Sequence, residues 1–403
     1  MRSRRIGLFG LLGTGNLGND GSLAAVLDHL RAAHPDATLH AFCGGPDEVT
    51  ERFGLPATRM NWYRGEYRTA NTIRSVFLKG LGKIIDAVRT AVWVRRQDVV
   101  IVPGMGVLES VLPVRPWGFP YSLMLTCLSG RLLGTPVALL SVGATVVENG
   151  VGRMVVVRAA KAAGYRSFRD ALSRDAMRAM GVDTDGDEIY PDLVFGATAP
   201  PSVASTGIVG VGVMAYRGEN RDRSRAHEVR ARYVADLTTF VRWLVAGDRR
   251  VRLFIGDRSD LVVAVEITAE VGSPLVETAK VTDLDELMGA MAEVDTVVAT
   301  RYHNVVCALK LGIPTVSIGY APKNDALMAS MGLGEFCQAA RSIDVGLLIK
   351  QFTELERRHD ELRATVAARG LHAAGLVERQ FAELSEFIRQ APPRDTRVGQ
   401  GVG

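Results

Sequence analysis

The chain has 403 residues, too many for one ordinary core, so two domains are expected. Its 47% hydrophobic and 23% charged residues fit a soluble globular protein, and a net charge of +4 is too small to imply nucleic acid as a partner. Four scattered cysteines (Cys43, Cys127, Cys307, Cys337) without a CxxC pair argue against a zinc site or a disulfide framework and fit a reducing, cytoplasmic setting.

The N-terminus is basic, but the apolar run after it, 6–12, is short and broken by glycine, so it reads as a first strand and not a signal peptide. Strands are predicted over 6–10, 38–43, 99–103, 137–142 and 165–168. Helices are predicted over 21–33, 119–133, 152–163 and 171–180. The apolar span 121–147 is interrupted by Arg131 and Pro136, short of the ~20 residues of a membrane helix. A Pro/Ser/Ala stretch over 198–205 reads as a linker.

A second alternating set follows, with strands over 208–214, 251–255, 275–277, 296–299 and 315–318. Its helices are predicted over 226–244, 261–271, 284–292, 305–311 and 326–331. The expected fold class is α/β: two Rossmann-like lobes, 1–200 and 206–342, then a long helical region over 343–390 and a disordered tail over 391–403. An active site is expected at the carboxyl ends of the strands, in the cleft between lobes.

The most informative stretch begins at Thr296. A buried strand ends in Thr300-Arg301-Tyr302-His303, a helix follows, Gly312 and Pro314 close it, and Tyr320-Ala321-Pro322-Lys323 lies after the next strand. A cation and an imidazole at a helix N-terminus suit an anionic substrate and proton transfer. The other six histidines (His29, His34, His40, His227, His359, His372) read as surface residues. Arg217 ends the first strand of the second lobe and is expected on the same edge as Arg301.

After the first strand, Gly13-Thr14-Gly15-Asn16-Leu17-Gly18-Asn19-Asp20 superficially matches a dinucleotide loop. The second strand ends in Cys43-Gly44-Gly45, with no acidic residue placed for a ribose, so a loop near an anionic ligand is the preferred reading. A structural turn with Asp20 at the helix start is its alternative. Arg169 and Asp170 sit at another strand end, where Asp170 is either functional or a helix cap. Asp192, in Tyr190-Pro191-Asp192, either orients a hydroxyl or satisfies turn backbone. No Walker loop, nucleophile elbow or metal-ligand spacing occurs.

Together the Gly-Asn-Leu-Gly-Asn-Asp loop, Ser167-Phe168-Arg169-Asp170, Pro191-Asp192-Leu193-Val194-Phe195 and the run from Thr300 to Lys323 resemble the polysaccharide pyruvyl transferase family, in the family's order. One departure stands in the loop: where the family often has Asn-x-Gly-Asp-Glu, this chain has Asn19 and Asp20 in the acidic places. The resemblance implies a two-lobed fold like that of the GT-B glycosyltransferases. It implies transfer of the pyruvyl group of phosphoenolpyruvate to two hydroxyls of a sugar, giving a cyclic ketal and phosphate, with no metal or other cofactor. On that reading His303 donates the proton, and Arg301, Arg217, Lys323 and Arg169 bind phosphoenolpyruvate. Asp170, Asp192 and Asp20 are the candidate bases, and Gly13, Gly15, Asn16 and Asp20 lie near ligand.

The acceptor is expected to be a glycan or glycolipid held by the first lobe, with Asn61-Trp62-Tyr63-Arg64-Gly65-Glu66-Tyr67 and Arg115-Pro116-Trp117-Gly118-Phe119 offering aromatic surfaces. The apolar segment 107–119 is a candidate for peripheral membrane contact at the inner face. Two rivals remain: a nucleotide-sugar glycosyltransferase of the same fold, and a non-catalytic glycan-binding protein. Many retaining glycosyltransferases carry two glutamates eight residues apart, and 261–345 has no such pair. Oligomeric state has no sequence signature here.

Overall fold

The computed structural model describes residues 3–63, 73–109, 117–201, 205–218 and 220–392. Arg64, Gly65, Glu66 and Tyr67 of the first aromatic stretch lie outside the described residues. So do Arg115 and Pro116 of the second, most of the apolar segment 107–119, part of the linker, and nearly all of the tail.

The chain forms two compact units. The first holds a seven-stranded, all-parallel sheet: β1 (Arg5–Gly10), β2 (Thr38–Cys43), β3 (Ala57–Arg59), β4 (Val99–Pro103), β5 (Val137–Val142), β6 (Tyr165–Phe168) and β7 (Glu188–Ile189), in the order β3-β2-β1-β4-β5-β6-β7. β4 and β5 are buried at every position, as expected of parallel strands covered by helices on both faces. Those helices are α1 (Leu17–Ala33), α2 (Pro46–Phe53), α3 (Ile73–Arg95), α4 (Phe119–Leu133), α5 (Gly150–Ala162) and α6 (Ala171–Ala179).

The second unit repeats the plan with six parallel strands: β8 (Ile208–Gly212), β9 (Arg250–Phe254), β10 (Val276–Thr278), β11 (Thr296–Ala299), β12 (Thr315–Gly319) and β13 (Cys337–Ala339), in the order β10-β9-β8-β11-β12-β13. Its helices are α7 (Ala226–Ala246), α8 (Leu261–Val271), α9 (Leu284–Met291), α10 (Tyr302–Lys310), α11 (Pro322–Ser330) and α12 (Val345–Arg357). In both sheets the order reverses at the first strand of the unit. That places a ligand-binding switch point at the carboxyl ends of β1/β4 and of β8/β11.

The units do not follow strict chain order. Gly15–Gly21 belong with the second, and the end of α13 (His359–Gln390), from Arg379 on, belongs with the first. A buried polar cluster fixes that return. Ser141 Oγ donates to Gln380 Oε1 at 3.0 Å, Gln380 Nε2 donates to Ser167 Oγ at 2.7 Å, and Ser167 Oγ accepts from Ser141 N at 2.9 Å. Each polar atom in that ring has a partner, so its burial is compensated. Beside it the Tyr165 and Tyr190 hydroxyls both donate to Glu383.

Several elements differ from the sequence expectation. β3, β7 and β13 are edge strands of two or three residues, too short for any alternation to register. α2 is short and opens with Pro46. α3 is long, yet apolar residues occupy its solvent face as well as its buried one, which blurs the helical period. His29, His34 and His40 are half-buried and not surface residues. Burial lowers all three below the ordinary imidazole value, and His29 and His34 share the Ser385 hydroxyl at 2.9 and 3.1 Å.

Candidate active site

The carboxyl edge of the second sheet gathers the distinctive residues. β11 is a four-residue apolar strand, and the chain leaves it through Thr300 into Arg301, the non-helical N-cap of α10. α10 starts three residues earlier than the sequence suggests, so His303 and Asn304 lie in its first turn. Likewise α11 starts at Pro322, a residue suited to a first helical position, and brings Lys323 into its first turn. Neither helix has a side-chain cap. Their first-turn N–H groups and dipoles therefore favour a negative charge.

Arg301 is held rigidly. Its Nε donates to Asp260 Oδ2 at 2.8 Å and its Nη2 to Asp260 Oδ1 at 2.6 Å. Asp260 is fully buried and also accepts from the backbone N–H groups of Ala215 (2.8 Å), Gly256 (3.2 Å) and Asp257 (3.0 Å). One carboxylate thus ties the loops after β8 and β9 to the N-cap of α10. Burial disfavours the charged guanidinium, but the Asp260 hydrogen bonds and charge outweigh it and raise the Arg301 pKa. Tyr233 adds a second brace: its buried hydroxyl donates to Thr300 Oγ1 at 2.8 Å and accepts from Met214 N at 3.1 Å.

His303 Nε2 lies 3.6 Å from Asp192 Oδ2. Asp192 itself is buried, caps the 3-10 turn Leu193–Gly196 through Val194 N at 3.1 Å, and raises the pKa of the buried Cys307 thiol after burial itself. Lys310 donates to Phe195 O at 2.8 Å and so fastens that turn to α10. The imidazole stands edge-on to Tyr302, and Gly18 closes its other side. A Cβ on Gly18 would fall 1.9 Å from His303 Nδ1. Replacing Gly18 by alanine is therefore expected to displace the ring, costing about 1–3 kcal/mol of stability. Activity should fall far more than the small loss of folded protein explains, as paired turnover and urea-unfolding measurements would show.

The glycine segment reaches this edge through backbone pairing. Asn16 bridges to Asp257, Leu17 N donates to Gly256 O at 3.1 Å, and Arg258 N donates to Gly15 O at 3.2 Å. Asn16 Oδ1 accepts Asn19 N at 3.1 Å and opens α1, and Asp20 is buried within its first turn. Gly15 has φ +91, a conformation that other residues adopt only with strain. Gly13, at φ +64, packs against Gly45 in the first unit. Lys323 Nζ sits 5.3 Å from the Tyr302 ring centre and 5.2 Å from that of Tyr320. Arg217, beyond the end of β8, is exposed.

The structure gathers His303, Asp192, Arg301, Lys323, Gly15, Asn16 and Asp20 in the second unit. Arg169 and Asp170 belong to the first. There Arg169 is buried and ion-paired with Glu109, and Asp170 Oδ1 caps α6 through Ser173 N at 2.6 Å. Sequence reasoning missed Asp260, Gly18 and Asn304. Asp260 had one local signal, the Asp257-Arg258-Ser259-Asp260 capping box directly after β9. Asn304 is fully buried between Gly212 and Gly256, and neither of its amide atoms has a hydrogen-bond partner. Among the described residues no group of three or more His, Cys, Asp or Glu side chains is arranged to hold a metal.

A family model described as polysaccharide pyruvyl transferase matches residues 16–322. No curated protein sequence matches the chain. Among solved structures it is similar to a UDP-GlcNAc 2-epimerase from Neisseria meningitidis bound to UDP-GlcNAc, with a TM-score of 0.60 and 10% identity over 95% of this chain and 100% of that one. Acinetobacter baumannii MurG gives a TM-score of 0.56 and 13% identity over 96% and 99% of the two chains. The glycosyltransferase SnogD from Streptomyces nogalater gives 0.52 and 16% over 96% and 100%. At these identities the likeness establishes the fold, two Rossmann-like domains of the GT-B type, and nothing about substrate.

Proposed function

The chain belongs to the polysaccharide pyruvyl transferase family, a family of transferases, and from that premise we propose that it moves the pyruvyl group of phosphoenolpyruvate onto two hydroxyls of one sugar residue in a glycan or glycolipid. The observation that carries this reading is the pair formed by an imidazole backed by Asp192 and a guanidinium locked by Asp260, both at the uncapped N-terminus of α10.

In the proposed reaction His303 gives a proton to the methylene carbon of phosphoenolpyruvate, which becomes the methyl group and leaves C2 cationic. One sugar hydroxyl adds to C2. The second displaces phosphate, closing the ketal, and the two hydroxyl protons leave to base and to phosphate. Asp192 orients the ring and balances the imidazolium charge. Arg301, Lys323 and the first turns of α10 and α11 hold the phosphate and carboxylate, with Arg217 available from the exit of β8. The orphaned amide of Asn304 is a further polar group that bound donor would satisfy. The donor chemistry is proposed without Arg169 and Asp170, whose side chains are engaged with Glu109 and with the cap of α6.

Calorimetry with phosphoenolpyruvate, and a UDP-sugar panel as control, tests this without knowledge of the acceptor. Lys323→Ala is the cleaner variant, because removing Arg301 also strands Asp260. Saturable phosphoenolpyruvate binding, weakened roughly tenfold or more in Lys323→Ala, is the expected result. Binding of a UDP-sugar in place of phosphoenolpyruvate would replace the donor assignment with a glycosyltransferase one.

A further inference from the structure

Helix α3 turns an apolar stripe to solvent. Leu81, Ile84, Val88 and Val92 follow at intervals of three, four and four, which aligns them on one helical face. They are 38%, 66%, 61% and 45% exposed. The helix already meets the core through another face, where Gly82, Asp86, Thr90, Trp93 and Val94 are buried. Scattered surface leucines and valines carry no information, but an aligned row of four on a helix that has no packing need for them does.

The charge around the stripe has one sign. From Leu78 to Arg96 the chain carries Lys79, Lys83, Arg89, Arg95 and Arg96, against the single acid Asp86. Asp86 is buried and accepts from the Trp62 backbone N–H at 2.7 Å. Two exposed tryptophans border the helix. Trp62 is fixed there by its bond to Asp86. Trp117 stacks edge-on with Tyr121, whose hydroxyl donates to the Lys83 carbonyl at 3.5 Å. Apolar stripe, basic flanks and edge tryptophans together are the features by which a helix lies in the interface of a bilayer with anionic headgroups. A second copy of the same face, in either orientation, would set these basic flanks against one another, which opposes self-association. Among the described residues no helix is long and apolar enough to cross a membrane.

We propose that α3 docks the protein on anionic lipid. Leu81, Ile84, Val88 and Val92 enter the headgroup–acyl boundary, and Arg95 and Arg96 meet lipid phosphates, whereas Arg89 is held by Asp86 and the Arg59 carbonyl. This surface is distinct from the apolar segment 107–119 singled out in the sequence, and the inference does not depend on the donor chemistry.

Flotation of the full chain with vesicles tests it, using phosphatidylcholine alone and phosphatidylcholine with about one-third phosphatidylglycerol. Wild type is expected to bind the anionic vesicles about tenfold or more tightly than the neutral ones, with the difference shrinking at high salt. Ile84→Ser with Val88→Ser should abolish binding, and Arg95→Glu with Arg96→Glu should remove the anionic preference. All of these positions are exposed, so the variants should keep wild-type unfolding curves. No association of wild type with anionic vesicles would overturn the proposal, as would unchanged binding by the serine variant. So would a wild-type dimer, seen in sedimentation, that the serine variant dissociates.

Discussion

His303→Gln is expected to lower kcat by roughly 10²–10⁴ while phosphoenolpyruvate binding largely survives. Glutamine keeps a polar side chain between Gly18 and Asp192 but has no proton to give near neutral pH. The donor's charges would still meet Arg301, Lys323 and the two helix N-termini. Turnover and calorimetry on the same preparation separate the two effects. If phosphoenolpyruvate affinity fell as far as kcat, His303 would be a binding residue and the proton would have to come from elsewhere. Asp192→Asn should give a smaller loss than His303→Gln, because the ring remains but its orienting carboxylate is gone.

Asp260→Ala is expected to be the most damaging single change to stability among the site residues. It leaves the mostly buried Arg301 guanidinium and the N–H groups of Ala215, Gly256 and Asp257 without their shared acceptor. Breaking a buried pair from one side costs about 3–5 kcal/mol, and the residual exposure of Arg301 argues for the lower end, about 3 kcal/mol. Chemical denaturation measures that loss. Adding Arg301→Met to Asp260→Ala should recover part of the stability, since no uncompensated charge then remains, yet recover none of the phosphoenolpyruvate affinity. Recovery of both together would mean that Arg301 serves the fold alone.

How much of this was legible before folding depended on whether the signal was local. The strands 38–43, 99–103, 137–142, 165–168 and 296–299 coincide with the observed ones and 6–10 misses only Arg5; β4 and β11 were the clearest, because parallel strands buried on both faces are short, continuous apolar runs. The pattern of Arg301, His303, Gly312, Pro314 and Lys323 was likewise readable as strand, helix, strand and second helix. Its helix starts were placed too late: neither has a Ser, Thr, Asp or Asn cap, and although Pro322 marks the start of α11, nothing comparable marks that of α10. α3 escaped notice for the opposite reason: its exposed apolar residues contradict the rule that such a stripe faces inward.

The sequence by itself determined the alternation of strands and helices, the resemblance to a pyruvyl transferase family, and the presence of a cation and an imidazole at one strand end. Those features are carried by periodicity and by residues a few positions apart. Only the tertiary structure decided which carboxylates belong to them. Asp260 stands 41 positions before Arg301, and Asp192 reaches His303 only because its 3-10 turn packs on α10. Gly18, read as one glycine of a loop, is the residue whose missing Cβ leaves room for the imidazole. Parallel sheets join strands through long crossovers, so the residues that meet at their carboxyl edge come from distant parts of the chain. Their pairing is set by strand order, which no local pattern encodes.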